Sequence, residues 1–297
     1  MKKNILLVFV LVAFFSCKDF KEGVKDGYDN AQQQEEKLKE EKTNVKLYTL
    51  DGGTVIANML EIFSQGDMYK GESKTFADAF YIIEHPKGRM LWDAGLAEGL
   101  VGQEPYTTPN GAFTVSRKDS IVNQLKALNL TPEDFNYIAL SHTHFDHSGS
   151  AFNFKNATWL VQEKEYDYVT SEEHQKADPD TYNAIKDLSN VKKLNGDLDV
   201  FGDGTVVLKS MPGHTPGHQV LFLNLDETGP VLLTGDLYHF QENREKKGVP
   251  SFNSDVEQTL KSMEIFEAFA KEKNAKVIIQ HDLNDFNNMP EFPKPLQ

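Results

Sequence analysis

The alternation of hydrophobic and polar residues divides the chain into three stretches. An unbroken apolar run follows Lys2 and Lys3 and extends from residue 5 to residue 15. Residues 18–44 carry 14 charged side chains and show no apolar stripe of helical period. From Val45 onward, short apolar segments alternate with glycine, proline and polar residues, which predicts a globular domain over residues 45–297.

Apolar segments rich in β-branched and aromatic residues predict the strands of this domain. They lie at 45–50, 55–63, 80–85, 90–92, 137–140, 158–161, 206–209, 220–225, 231–234 and 276–279. Apolar residues at helical spacing predict helices near 118–128, 163–168, 179–188 and 256–271. Gly52-Gly53 predicts a turn between the first two strands. The alternation of strands and helices in the second half is typical of an α/β fold.

The first apolar run has the features of an export signal. Its eleven residues are too few for a membrane-spanning helix, which needs about 20, and two lysines precede it. We therefore predict a signal peptide over residues 1–16. Cys17, the only cysteine of the chain, directly follows and resembles the lipidated first residue of bacterial lipoproteins. Alternatively, Cys17 is discarded together with the signal peptide.

Lipidation of Cys17 would make residues 17–44 a charged, flexible tether between a membrane and the domain. The predicted location is then outside the cytoplasm, with the chain anchored by its lipid to a bacterial membrane on the periplasmic or cell-surface side.

The charge balance narrows the range of partners. The chain has a net charge of −14, and loss of Lys2 and Lys3 with the signal peptide leaves 29 basic against 45 acidic residues, a net charge of −16. Such a surface repels nucleic acids, so no nucleic-acid partner is expected. A single cysteine also excludes an intramolecular disulfide and a cysteine-ligated metal site.

The densest group of candidate ligands follows the predicted strand at 137–140. Residues 141–149 read Ser-His-Thr-His-Phe-Asp-His-Ser-Gly and contain His142, His144, Asp146 and His147. Imidazole and carboxylate groups together suit zinc and similar divalent ions. His142 and His144 would point the same way if the extended backbone continued, whereas Asp146 and His147 must lie on the turn that follows.

Three further candidates stand at or just past other predicted strand ends. They are His214, Asp236 and His281. One isolated histidine is usually a surface or core residue, but seven candidate ligands at strand ends predict a metal site. His218, four residues after His214, is expected to have a structural role.

These residues resemble the HxHxDH motif and the later motif positions of the metallo-β-lactamase superfamily, over about residues 45–290. The resemblance implies an αββα sandwich of two mixed β-sheets flanked by helices. It also implies two divalent ions per chain, zinc by default. His142, His144 and His214 would bind the first ion, Asp146, His147 and His281 the second, and Asp236 both. Asp93 matches the superfamily's early aspartate, which holds the metal ligands in place without binding the ions itself.

Within the superfamily, the motifs look most like those of the N-acyl homoserine lactone lactonases. The implied reaction is opening of the lactone ring by a hydroxide that bridges the two ions, with Asp146 passing a proton to the leaving group. In many such lactonases a tyrosine stands three residues after the bridging aspartate. Here that position is His239, and Tyr238 precedes it, so both are candidate oxyanion donors.

Two alternative functions use the same residues differently. The site could hydrolyse another carboxylic ester or, as in glyoxalase II, a thioester. Less favoured is a surface lipoprotein that binds a ligand without catalysis, because all seven ligand positions are filled. The segment 59–80, which contains Phe63 and Phe76, would either cover an acyl chain or belong to the ordinary core.

Overall fold

The computed structural model describes residues 42–297, and its strands form two sheets. The predicted signal peptide, Cys17 and most of the tether lie outside the described residues. The larger sheet has the order β4-β5-β1-β2-β3-β6-β7-β8. Its strands are β1 (Lys46–Ala57), β2 (Lys74–His85), β3 (Gly88–Trp92), β4 (Tyr106–Thr107), β5 (Phe113–Ser116), β6 (Tyr137–Ala139), β7 (Thr158–Gln162) and β8 (Val191–Leu194).

The smaller sheet has five strands in the order β13-β12-β11-β10-β9. They are β9 (Leu198–Asp199), β10 (Val206–Ser210), β11 (Gln219–Leu225), β12 (Gly229–Leu233) and β13 (Lys276–Ile278). Both sheets are mixed: β3, β6, β7 and β8 are parallel neighbours, as are β12 and β13, and the other pairs are antiparallel.

Eight α-helices accompany the sheets within residues 42–297. They are α1 (Ile121–Leu125), α2 (Phe145–Ser148), α3 (Glu163–Val169), α4 (Glu172–Ala177), α5 (Pro179–Ile185), α6 (Gln241–Glu245), α7 (Val256–Lys273) and α8 (Leu283–Asn287). Short 3₁₀ turns occupy Leu60–Phe63, Glu98–Leu100, Lys126–Leu128, Pro132–Asp134, Ala151–Phe154 and Gly235–Leu237. In this part of the chain, no helix is long and apolar enough to cross a bilayer.

Three buried clusters hold the layers together. Between the sheets, Trp92 and Leu160 of the larger sheet pack with Leu221 and Val231 of the smaller one. Helices α1 and α5 cover the outer face of the larger sheet, and α7 covers the smaller one. Each apolar sheet face is thereby removed from water. This four-layer arrangement confirms the predicted αββα sandwich.

The turn predicted at Gly52-Gly53 is wrong. β1 runs through both glycines, with a β-bulge between Asp51 and Gly53. A β-carbon on Gly52 would lie 2.8 Å from the α-carbon of Gly95 and 2.7 Å from the carbonyl oxygen of Asp78. Glycine is required here for close backbone packing rather than for chain reversal.

The strand directions bring the predicted ligand segments together. β10, β12 and β13 run the same way, and residues 213–218, Asp236 and His281 follow their carboxyl ends. In the other sheet, Asp93 follows β3, and residues 141–147 follow the parallel strand β6. The carboxyl ends of such strands are where α/β folds place ligands.

Candidate metal centre

All seven predicted ligand residues converge in one largely buried cluster, which consists of two groups. In the first group, Nε2 of His142 lies 2.9 Å from Nδ1 of His144 and 3.2 Å from Nε2 of His214. Nε2 of His214 lies 3.1 Å from Nδ1 of His144. Three imidazole nitrogens therefore point at one small volume.

The second group contains Asp146, His147 and His281. Nε2 of His147 and Nε2 of His281 are 3.0 Å apart, and each lies 3.0 Å from Oδ1 of Asp236. The other oxygen of Asp236, Oδ2, faces the first group, 3.3 Å from Nε2 of His214 and 3.6 Å from Nε2 of His142. The carboxylate of Asp236, which belongs to the first group, thus also faces the second.

The outward-facing ring nitrogens show that these residues fit divalent ions. Nδ1 of His147 lies 3.0 Å from Asp93 Oδ2, Nδ1 of His214 lies 2.8 Å from Asn253 Oδ1, and Nδ1 of His281 lies 2.9 Å from the Ala77 carbonyl oxygen. Each of these oxygens can accept the Nδ1 proton, which leaves the Nε2 lone pair pointing inward. The buried Oδ1 of Asp236 accepts no well-aligned hydrogen bond and has the Nε2 atoms of His147 and His281 at 3.0 Å, as expected of atoms that share a metal ion.

A network behind the ligands connects the two groups. The Ser141 N–H donates to Asp93 Oδ1 at 2.6 Å. Gln280 donates through Nε2 to Asp93 Oδ2 at 2.8 Å, and its Oε1 accepts from Gly235 N–H at 3.0 Å and from the Trp92 indole at 2.7 Å. Asp93 therefore has the supporting position that the resemblance implies. Gln280 shares in that support.

His218 supports Asp236 from the other side. The Asp236 N–H donates to Nε2 of His218 at 3.0 Å, and Nδ1 of His218 lies 3.0 Å from the Met211 carbonyl oxygen. These two contacts fix a neutral tautomer with its proton on Nδ1. Burial also lowers the pKa of His218 to about 3. The predicted structural role of His218 is confirmed.

A cavity of about 160 Å³ opens above the cluster. Asp146, Asp236, His144, His239 and His281 lie at its polar end. The remaining lining is apolar and consists of Val55, Phe63, Phe76, Phe113, Phe145 and Phe252. Phe63 and Phe76 come from the segment predicted either to cover an acyl chain or to belong to the core, and both line this cavity.

Comparison with known proteins identifies the family. A model of the Metallo-beta-lactamase superfamily matches residues 77–281. The chain belongs to this superfamily. It is similar to N-acyl homoserine lactonase AttM of Rhizobium radiobacter, with 32% identity over 275 residues that cover 84% of this chain and 99% of that protein.

Solved structures agree with this assignment. The chain is similar to a Bacillus thuringiensis AiiA mutant with N-decanoyl-L-homoserine bound at the active site, with a TM-score of 0.74, 30% identity, and coverage of 84% of this chain and 98% of that one. It is also similar to an N-acyl homoserine lactone hydrolase with the product N-hexanoyl-L-homoserine bound at the catalytic metal center, with a TM-score of 0.73, 30% identity and the same coverage.

The two candidate oxyanion donors of this superfamily member lie in different places. Tyr238 packs against Phe266 in the cluster under α7, and its ring lies 5.9 Å from the Arg244 guanidinium. Because Tyr238 does not line the metal cavity, it does not fit the predicted role. His239 does line the cavity, and its Nε2 lies 3.0 Å from Asp236 Oδ2.

The histidines of the site differ in the direction of their pKa shifts. Burial lowers the pKa of His142 and of His144 well below the usual value, which favours the neutral form. Burial also opposes protonation of His147, but the carboxylates of Asp236 and Asp93 more than offset it and raise the pKa of His147 well above the usual value. An ion entering the second group would therefore displace a proton from His147, so metal affinity should fall in acid.

Asp78 is buried near the candidate metal ligands, and its ionisation should make the stability of the protein depend on pH. Its Oδ2 accepts from Leu96 N–H at 2.7 Å, while its Oδ1 is buried without a partner. Burial, followed by the negative charge of Asp146, raises the pKa of Asp78 to about 7. The pKa of Asp78 is higher in the folded state than in the unfolded state. Asp78 therefore contributes stability below about pH 4, and this contribution is lost as the pH rises to about 7.

We expect the Asp78→Asn variant of the metal-free protein to gain stability relative to wild type over that interval. The difference in the free energy of unfolding should grow by up to about 4 kcal/mol between pH 4 and pH 8. Urea denaturation of both proteins across this range measures the difference. Parallel stability curves would contradict the raised pKa of Asp78.

Three supporting residues of the site were not found by sequence reasoning. Gln280 and Asn253 hydrogen-bond to residues of the cluster or their neighbours, and Glu165 binds two ligand-bearing loops. Gln280 directly precedes His281, which is the one signal that could have found it. Asn253 and Glu165 stand 39 and 52 residues from their respective partners His214 and Gly217, and no local pattern marks them.

Proposed function

We propose that this protein is a dinuclear zinc lactonase that opens the ring of N-acyl homoserine lactones. The observation that carries the proposal is the phenylalanine-lined cavity that ends on the cluster of seven candidate ligands. An apolar wall suits an acyl chain, and the polar end suits an ester carbonyl. Similarity to AttM over 99% of that protein's length supports the same assignment.

The charge of the cavity argues against anionic substrates. Among the described residues that line it, none is lysine or arginine. Phosphodiesters, glutathione thioesters and β-lactams carry phosphate or carboxylate groups, and the cavity wall offers no basic side chain to bind such a group where it lies away from the candidate metal ligands. A neutral, amphiphilic lactone needs none, which favours it over these alternatives.

In the proposed centre, His142, His144 and His214 would hold one zinc ion, and Asp146, His147 and His281 would hold the other. Asp236 would contribute to both sites, since its two oxygens face the two sets of histidines. Two such ions would supply an activated water and polarise the ester carbonyl. The donor set of imidazole nitrogens and carboxylate oxygens is one that suits zinc.

The protein's own groups would guide the substrate and the proton. The phenylalanine side chains bind the acyl chain and exclude water from it. Asp146 lines the cavity, with Oδ2 3.7 Å from His281 Nε2, and would pass a proton to the ring oxygen as the ester bond breaks. His239 would donate from Nε2 to the oxygen of the attacked carbonyl.

We also propose that the protein is exported and held by a lipid on Cys17, with residues 18–44 as the tether. The support is the sequence pattern of residues 1–17 alone. Metabolic labelling with a fatty acid, in wild type and in a Cys17→Ala variant, tests it. Absence of label on the wild-type protein would contradict the anchor.

The activity test follows proton release from N-decanoyl homoserine lactone by the zinc-loaded protein. We expect ring opening, since the chain lines the cavity with six apolar residues and places the candidate ligands at its end. A panel of a thioester with two carboxylates, a phosphodiester and a β-lactam should react far more slowly. Faster turnover of the thioester than of the lactone would replace the lactonase assignment with a thioesterase.

A phenylalanine at the cavity mouth should influence acyl-chain preference. The Phe252 side chain lines the cavity and is 41% exposed, so a long acyl chain can cover it. Covering that surface contributes on the order of 1 kcal/mol, and Phe252→Ala should raise KM for a ten-carbon acyl chain by about fivefold. A four-carbon chain should show little change.

The matched control for this prediction is Phe152→Ala. Phe152 is 39% exposed and does not line the cavity, so its loss should leave both KM values unchanged. Equal effects of Phe252→Ala on the short and long chains would contradict an acyl contact at Phe252.

A further inference from the structure

A buried carboxylate joins two loops of the site without being a candidate ligand. Glu165, on α3, is 2% exposed. Its Oε1 accepts from Thr143 N–H at 2.9 Å and from the Thr143 hydroxyl at 2.8 Å. Its Oε2 accepts from Gly217 N–H at 2.9 Å. One side chain thus binds both the segment 142–147 and the segment 213–218.

The contacts use both oxygens of Glu165 as acceptors. All three partners are donors, and a carboxylate is an acceptor at both oxygens. Three hydrogen bonds, from the Thr143 N–H, the Thr143 hydroxyl and the Gly217 N–H, therefore hold this buried side chain. A β-carbon on Gly217 would lie 2.5 Å from the Glu165 β-carbon, so only glycine permits this approach.

The position of these donors connects Glu165 to one ion only. Thr143 stands between His142 and His144, and Gly217 follows His214 by three residues. These three histidines belong, with Asp236, to the first group of the cluster. In the second group, His147 is held by Asp93, and His281 by the Ala77 carbonyl. Glu165 makes no contact with that group.

We propose that Glu165 is a positioning residue for the first ion, one that fixes His142 and His144 relative to His214. The inference rests on the proposed dinuclear centre. Glutamine at position 165 would keep the shape but place an amide NH₂ group opposite one of the donors, so that at least one hydrogen bond is lost. The two loops would then no longer be held in register.

Zinc affinity, rather than activity, is the test. The full-length protein and its Glu165→Gln variant are titrated with zinc in competition with a chromophoric chelator, which yields two dissociation constants. We expect one constant to rise roughly 10- to 100-fold in the variant, while the other stays unchanged. Asp93→Asn should weaken the other ion, and the double variant should weaken both.

The matched control is Glu163→Gln, on the same helix but exposed, which should change neither constant. If Glu165→Gln fails to fold, Thr143→Val removes only the hydroxyl donor and should produce a smaller loss at the same ion. Unchanged constants in folded Glu165→Gln, or an equal rise in both, would overturn the inference. Wild-type protein that binds two zinc ions but opens no lactone would overturn the proposed substrate and leave this inference standing.

Discussion

Replacing Asp236 with alanine is expected to lower kcat/KM for lactone opening by at least about 100-fold and to reduce bound zinc from two ions to at most one per chain. Loss of a residue that only supports a metal ligand already costs 10- to 100-fold. Asp236 is closer to the centre, because its two oxygens face the two groups of histidines separately. Its removal should therefore weaken both proposed ion sites.

The folded state should survive this change. The Asp236 main chain remains bound through its N–H to His218 Nε2, and Gly235 N–H remains bound to Gln280. Metal content is measured by elemental analysis beside the kinetics. Asp167→Ala, which removes an exposed carboxylate paired with Lys193, is the control and should behave as wild type. An Asp236→Ala protein that keeps both ions would show that this carboxylate does not bridge them.

The convergence of the seven candidate ligands could be predicted from sequence for a geometric reason. Residues 142–147, Asp236 and His281 each come shortly after a segment whose apolar residues mark a buried strand. Strands that run in the same direction end at the same edge of a sheet. The sequence pattern around each strand end therefore predicted that residues far apart in the chain lie close together in the fold.

Other features depend on packing that no local pattern records. Tyr238 and His239 are adjacent in sequence, yet one packs under α7 and the other lines the cavity. Which of them faces the metal centre is decided by the backbone after the 3₁₀ turn at Gly235–Leu237. Likewise, the sequence around Gly52 suggested a turn, because the close packing of Gly95 against Gly52 cannot be seen in the local sequence.

His239 stands at the position where the resemblance to lactonases implies a tyrosine, and it carries the second large prediction. Its Nε2 lies 3.0 Å from Asp236 Oδ2, its Nδ1 is buried without a partner, and its ring packs edge-on against Phe63 with centroids 4.8 Å apart. Burial lowers the pKa of His239. The ring is therefore neutral at pH 7, with a proton on Nε2, the nitrogen that faces the carboxylate.

His239→Phe keeps the ring and its contact with Phe63 but removes the donor. We expect kcat to fall by about 100- to 1,000-fold, as for the loss of an oxyanion donor, while KM and the zinc content stay close to wild type. His239→Tyr returns a hydroxyl donor to the same wall and should recover part of the rate. If His239→Phe instead loses zinc, the ring acts by holding Asp236 in place. If it keeps both zinc and full kcat, the ring only fills space, and the oxygen of the attacked carbonyl is stabilised without a side-chain donor at this position.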